Sequence, residues 1–364
     1  MVTIRSSAAP TGSDVTLTID ARVVGAGHPA YVVAEMSGNH NHRFDDAVAI
    51  VRAAKAAGAD AVKVQTYTPD TLTIDCDNRY FQLGPGTLWA GRKLYELYSE
   101  ACTPWEWQPR LKELAAELGI GFFSTPFDDT AVAFLETMGV GAYKIASFEI
   151  VDLALIRRVA ATGKPIIMST GMATLGEIDE AVSAARSAGC VELALLKCTS
   201  AYPSAPSDMN LRTLTHLGHA FDAVPGLSDH TLGITVPVAA VALGACIIEK
   251  HFTLSRTVPG PDSAFSLEPL EFRAMVDAVR QTEAALGSVR YGVTPDEEKS
   301  RVFRRSLFVV ADVAAGELLT PANIRSIRPG FGLAPRHLPD VLGRRAARAI
   351  SRGTPLEWSL VAGA

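Results

Sequence analysis

Between Tyr31 and Leu286 the chain repeats one pattern eight times: a short apolar run, a polar loop, then a segment of helical periodicity. The apolar runs are Tyr31–Glu35, Ala61–Gln65, Gly121–Thr125, Ala142–Ala146, Pro165–Ser169, Leu193–Lys197, Ala223–Leu227 and Ala245–Lys250. The helical segments that follow them are 44–57, 105–118, 129–138, 153–161, 175–188, 210–217, 233–243 and 268–286. Near-continuous apolar runs are what strands buried on both faces require. Turns with glycine, such as AAGAD, ELGIG and TMGVG, close several helices just before the next strand, where a left-handed cap is needed. Eight βα units in roughly 250 residues predict a closed (β/α)8 barrel, the TIM barrel. An open doubly wound sheet is the competing fold, but no GxGxxG follows the first strand.

The flanking segments set the domain organisation. Residues 1–14 lack the apolar core of a secretory signal and read as a disordered lead-in. Residues 15–24 alternate and predict a short strand or hairpin, so the barrel domain is placed at 15–290. Residues 291–301 are a polar linker, and 302–364 form a second module of short strands and turns. A module that small is expected to hold little core of its own and to dock on a barrel. The net charge of −5 gives no electrostatic footprint for nucleic acid or an anionic membrane. No apolar run approaches the ~20 residues of a membrane span. Five cysteines at irregular spacings fit a reducing cytoplasm better than a disulfide framework.

In such a barrel, functional groups collect at the C-terminal ends of the strands. Here every strand ends in polar or ionisable residues. Lys63 and Lys144 lie between apolar neighbours, and lysine is rarely buried without a partner. Three readings stand side by side: a structural ion pair, a cation pair for phosphate or carboxylate, and a Schiff-base lysine. Two lysines beside seryl and threonyl hydroxyls favour anion binding. Ser147, Ser169, Thr170 and Ser228 precede helices, so each is equally a candidate N-cap. His230 and His251 end neighbouring strands beside Asp229 and Glu249, and that pairing favours a metal site over two hydrogen-bonded loop histidines. Two imidazoles with water and substrate oxygens suit Mn²⁺, Co²⁺ or Zn²⁺ better than Mg²⁺. Glu35, at the end of the first strand, would be costly to bury unless it acts on a ligand or a cation.

The motifs VAEMSGNHN, ADAVKVQTY, FFSTPFD, AYKIASFEI, IIMSTGMA, CTSAYP, GLSDHTLGI and IIEKHFTL together resemble the sialic acid synthase family. AGELLTPANIRSIRPGFGL resembles its C-terminal antifreeze-like (SAF) domain. The likeness runs from about Tyr31 onward and, within the family, is nearest to the pseudaminic acid synthase branch. Ser200 stands where sialic acid synthases proper usually carry Asn, which argues against plain N-acetylmannosamine as substrate. The resemblance implies a condensation of phosphoenolpyruvate with an amino-sugar aldehyde, for this branch 2,4-diacetamido-2,4,6-trideoxy-L-altrose. It implies catalytic roles for Glu35, His230 and His251, with both histidines on a divalent metal, Mn²⁺ first and Co²⁺ or Mg²⁺ as alternatives. It implies a phosphoenolpyruvate cradle of Lys63, Thr125, Lys144, Ser147, Ser169, Ser200 and Ser228. Gln65, Glu149, Tyr202, Asp262, Phe303 and Arg328 match sugar-contacting positions. A homodimer is implied, each SAF domain docking on the partner's barrel.

Overall fold

The computed structural model describes residues 15–363, so the lead-in expected at 1–14 lies outside the described residues. The chain divides into two compact units, one ending at Gly287 and one beginning at Ser288. The first opens with an antiparallel hairpin, β1 (Thr16–Ile19) and β2 (Arg22–Gly25). Eight parallel strands follow: β3 (Tyr31–Glu35), β4 (Ala61–Thr66), β5 (Gly121–Pro126), β6 (Tyr143–Ile145), β7 (Ile166–Ser169), β8 (Leu193–Cys198), β9 (Val224–Asp229) and β10 (Ile247–His251). They pair in sequence order, and β10 bonds both β9 and β3, which closes the barrel.

The crossover helices are α1 (Phe44–Ala56), α2 (Gln108–Leu118), α3 (Asp129–Met138), α4 (Leu153–Ala160), α5 (Leu175–Ser187), α6 (Arg212–Phe221), α7 (Thr235–Ala242) and α8 (Pro269–Leu286). Two differ from the sequence expectation for local reasons. Trp105–Trp107 form a separate 3₁₀ turn, because Pro109 fits only the first turn of α2 and starts the α-helix there. α6 continues to Phe221 because Leu214, Leu217 and Phe221 bury one face, a signal diluted by the intervening His216, Gly218 and His219.

Side chains on a strand alternate between the barrel interior and the helix layer. The lower interior is apolar: Val33, Ala61, Phe123, Ala142, Ile167, Leu196 and Val224 pack on Leu17, Ile19 and Val24 of the hairpin, which plugs the floor. Each large apolar side chain buried there contributes about 1.5–3 kcal/mol, offsetting the burial of charge one layer higher. Gly226 is fixed by this packing, since a Cβ on it would lie 2.4 Å from Leu196 Cδ2. Asp60 ties the floor together: it accepts from Val32 N at 2.8 Å and Arg280 Nη2 at 2.9 Å, and pairs with Arg22 of the hairpin. No helix among the described residues is long and apolar enough to cross a membrane. All five cysteines are unpaired.

The second unit pairs β11 (Ser306–Val309) with β12 (Ile324–Ile327) antiparallel, and bridges such as Val313–Ile350 and Ala346–Val361 extend the pairing. The expectation of little internal core is corrected here. Leu307, Val309, Val313, Leu319, Ile324, Ile350, Leu356 and Leu360 form a buried cluster, because the bridges fold both ends of the segment onto one centre.

Candidate active site

One layer above the apolar floor, the inward positions change character. Glu35, Lys63, Thr125, Lys144, Ser169, Cys198, Ser228 and Glu249 face a common cavity, with Gln65, His230 and His251 at its mouth. Both lysines are almost completely buried. Lys63 Nζ lies 2.7 Å from Glu35 Oε2, donates to Thr125 Oγ1 at 3.1 Å and stands 3.6 Å from Glu249 Oε1. Lys144 Nζ donates to Ser169 Oγ at 2.6 Å and also stands 3.6 Å from Glu249 Oε1. Glu249 therefore sits between the two ammonium groups.

The electrostatics follow from that arrangement. Burial pushes the Lys144 ammonium down. Lys63 is buried too, but Glu249 and Glu35 outweigh burial and push it up. Glu249 is kept below its ordinary value, against burial, by Lys144 and Lys63. Burial pushes Glu35 up, with Lys63 pulling the other way. A ligand anion entering here would meet two desolvated cations whose present counter-charge is Glu249.

The serines are not helix caps. Asp128, Asp152 and Thr174 cap α3, α4 and α5. Ser147 Oγ instead accepts from Gly171 N at 3.2 Å, Ser169 accepts from Lys144, and Ser228 Oγ donates to Glu249 at 3.3 Å. Ser200 Oγ is 4.0 Å from Cys198 Sγ. A Cβ on Gly171 would fall 2.3 Å from Ser200 Oγ and 2.9 Å from Ser147 Oγ, so only glycine leaves this concavity open.

His230 and His251 face each other with ring centroids 5.3 Å apart. His230 Nδ1 is 3.0 Å from the Thr199 carbonyl, which can only accept, so that nitrogen carries the proton and Nε2 keeps its lone pair. Burial first, and then the neighbouring His230 and lysines, push His251 far below its ordinary value, so it is neutral. Burial lowers His230, but Cys198 and the Thr199 carbonyl outweigh it and push the imidazole up. His251 Nδ1 is buried without a partner, and Asp262 Oδ2 lies 4.0 Å away. Among the described residues no group of three His, Cys, Asp or Glu is set to hold a metal. The donor set is two imidazoles, which fits an ion that takes its other ligands from water and substrate.

The expected sugar-contacting residues divide between the two units. Gln65 Nε2 donates to Glu35 Oε1 at 2.9 Å and to Ser37 Oγ at 3.0 Å; Ser37 in turn donates to Asp262. The Tyr202 ring lies 4.4 Å from that of His230 and 5.2 Å from that of Phe265. Phe303 and Arg328 belong to the second unit and are exposed there. Glu149 sits in the loop after β6, its carboxyl pushed up to about 7 by burial and its Oε2 without a partner. A carboxyl that holds its proton more tightly when folded costs stability above its folded pKa and little below its unfolded one. Glu149→Gln is therefore expected to raise the melting temperature at pH 8 by roughly 5 °C, from about 2–3 kcal/mol of relieved burial. At pH 4, below the unfolded value, the shift should nearly vanish. Thermal melts at the two pH values decide it, and an equal shift at both would remove the burial explanation.

Cys198 and Gly171 escape a reading by residue type, and Glu249, noted beside the histidines, turns out to sit between the two lysines. Glu249 and Cys198 face the cavity because they share the strand parity of His251 and Ser228; counting back by twos from His251 finds Glu249, and from His230 finds Ser228. Gly171 carries no side chain to notice. Asp229, beside His230 in sequence, points the other way into a fully buried pair with Lys250 at 2.5 Å.

A closed barrel with paired cations, hydroxyls and a two-histidine mouth defines a class of enzyme that brings an anionic substrate to a second substrate bearing an activatable oxygen. The sequence matches the NeuB family over residues 50–291 and the SAF domain over residues 304–362. It is 46% identical to a pseudaminic acid synthase of Helicobacter pylori, covering 90% of this chain and 96% of that one. It is 37% identical to an N,N'-diacetyllegionaminic acid synthase of Legionella pneumophila, covering 92% and 95%. The solved spore coat polysaccharide biosynthesis protein SpsE of Bacillus subtilis superposes with a TM-score of 0.65 at 35% identity, covering 95% of this chain and 99% of that one. The chain belongs to the NeuB family and carries a SAF domain.

Proposed function

We propose that this chain condenses phosphoenolpyruvate with 2,4-diacetamido-2,4,6-trideoxy-L-altrose to give pseudaminic acid and inorganic phosphate. The observation that carries the reading is the buried Lys63–Glu249–Lys144 group in a chain 46% identical to a pseudaminic acid synthase. Phosphoenolpyruvate supplies a phosphate and a carboxylate, the anions that two desolvated ammonium groups recruit. Lys63 with Thr125 and Lys144 with Ser169 form the cradle, and Ser147, Ser200 and Ser228 add hydroxyls. On binding, the lysines exchange contacts with Glu249 for contacts with substrate oxygens. Gln65, Glu149, Tyr202 and Asp262 hold the open-chain sugar.

C3 of phosphoenolpyruvate attacks the aldehyde carbon. Water adds to C2, and that tetrahedral carbon expels phosphate by C–O cleavage, leaving a 2-keto acid. Glu35, fixed by Gln65 and Lys63, moves a proton at the attacking water or the sugar oxygen. His230 and His251 would hold a divalent ion, Mn²⁺ before Co²⁺ or Mg²⁺, which when bound supplies Lewis-acid polarisation of the aldehyde.

The working form is a homodimer in which Phe303 and Arg328 reach the partner's barrel. Two observations support it. Residues 302–364 carry nine arginines against four carboxylates in a chain of net charge −5, and the barrel mouth exposes Phe148, Met172 and Leu232. The unpaired cysteines support a cytoplasmic setting. A synthase for a legionaminic- or sialic-type acid is the second reading, favoured by the 37% identity to the Legionella protein. A Schiff-base aldolase is disfavoured because each lysine faces a carboxylate rather than an apolar pocket.

Phosphate release from phosphoenolpyruvate, measured with a panel of 2-acetamido and epimeric 2,4-diacetamido sugars, tests the reading. The L-altrose derivative should give the highest kcat/KM and a product mass equal to one nine-carbon keto acid. A higher kcat/KM for another acceptor would overturn the sugar assignment. Trapping of an imine by borohydride and pyruvate would overturn the reaction class.

A further inference from the structure

The cavity that holds the lysines measures only about 60 Å³, too little for two reactants whose product has nine carbons. A second cavity of about 300 Å³ opens beside it, lined by Leu88, Trp89, Arg92, Glu100, Pro261 and Ala264 among others. The Trp89 ring lies 5.7 Å from that of Tyr202, which packs on His230. Trp89 Nε1 also donates to the Pro261 carbonyl at 2.9 Å, and the next residue, Asp262, belongs to the first site. The segment Leu88–Arg92 comes from the long excursion between β4 and α2, and no part of the mechanism uses it.

The lining has a definite chemistry. Leu88, Trp89, Pro259 and Pro261 give apolar surface. At its edge the paired Arg92 and Glu100 present a hydrogen-bond donor and an acceptor side by side. That set complements a planar amide with a small alkyl group: the amide oxygen accepts from Arg92, the N–H donates to Glu100, and the methyl meets Trp89.

We infer that this second cavity receives the acylamino group at the far end of the sugar acceptor and makes Trp89, Arg92 and Glu100 specificity-determining residues. The inference rests on the reading of the acceptor as a 2,4-diacetamido sugar. It assigns the excursion after β4 the task of separating doubly from singly acylated sugars.

The test compares wild type, Ala264→Trp, which fills the cavity from an exposed position, and Arg92→Ala, which removes the donor. Steady-state kinetics are run with the diacetamido sugar, with N-acetylmannosamine and with phosphoenolpyruvate as varied substrates. Filling the cavity should raise KM for the diacetamido sugar at least tenfold, the scale of a lost apolar subsite. Arg92→Ala should raise it about fivefold. KM for phosphoenolpyruvate should stay within about twofold, and the preference over N-acetylmannosamine should shrink in both variants. A wild-type preference for the diacetamido sugar that both variants leave intact overturns this inference alone. A wild type that turns over only the singly acylated sugar overturns the reading of the acceptor and this inference with it.

Discussion

Replacing His251 by alanine is expected to lower kcat by at least about 10³-fold with either phosphoenolpyruvate or sugar saturating. His251 is one of only two imidazoles at the barrel mouth, and among the described residues no third histidine, cysteine or carboxylate completes a metal site with them. A two-donor site cannot lose one donor and keep an ion placed. His251 is held neutral by burial and by its positive neighbours, so the form that binds a cation is the one already present. Dialysis of the wild type against a chelator should remove activity to the same extent, and Mn²⁺ should restore it. His251→Ala should not respond to added Mn²⁺, and its measured metal content should fall below that of the wild type. Full turnover after both chelation and substitution would sink the metal assignment.

A mixture of two impaired variants, assayed with the sugar well below its KM, should recover activity if each site is built from two subunits. Lys144→Met removes a buried cation from the barrel and should cost at least about 10³-fold in kcat/KM, because Glu249 is left without one of its two partners and the anion without one of its ligands. Arg328→Ala changes only the second unit and should weaken sugar binding by about tenfold or more. When the two chains are co-expressed, half the dimers are mixed. Each mixed dimer holds one wild-type barrel facing a wild-type Arg328, so about a quarter of wild-type activity should return. The readout is phosphate release by the purified mixture, beside each variant alone. Activity no greater than the sum of the two parents would mean that Arg328 acts within its own chain or not at all.

Much of the site was legible from residue type and position. The strand-end placement of Lys63, Lys144, His230 and His251 predicted a polar mouth, and all four line one cavity. Choosing between capping and ligand contact for Ser147, Ser169 and Ser228 was beyond the sequence, because a hydroxyl before a helix serves both ends equally. The fold gives capping to Asp152 and Thr174 after Ser147 and Ser169, and the helix after Ser228 has Ile234 at its N-cap position with no side-chain cap. Glu249 could have been found by counting alternate residues back from His251. Asp229 looked like part of the histidine site because it adjoins His230 in sequence, yet neighbouring residues on a strand face opposite sides.

By itself the sequence determined the barrel. Eight apolar runs separated by helical segments leave few ways to bury every strand, and closure is the one that leaves no edge. It also determined that ionisable groups cluster at one end, since period-two alternation carries polar residues inward only near each strand's last turn. Only the tertiary structure decided which charges meet. Lys63 and Lys144 come from β4 and β6, and Glu249 from β10 across the barrel. Their convergence depends on closure and register, which are set by long-range packing on the apolar floor. The neighbouring cavity lined by Trp89 and Pro261 likewise joins segments 172 residues apart in sequence. No local pattern can encode that contact, because it forms only when the excursion after β4 folds back onto the loop after β10.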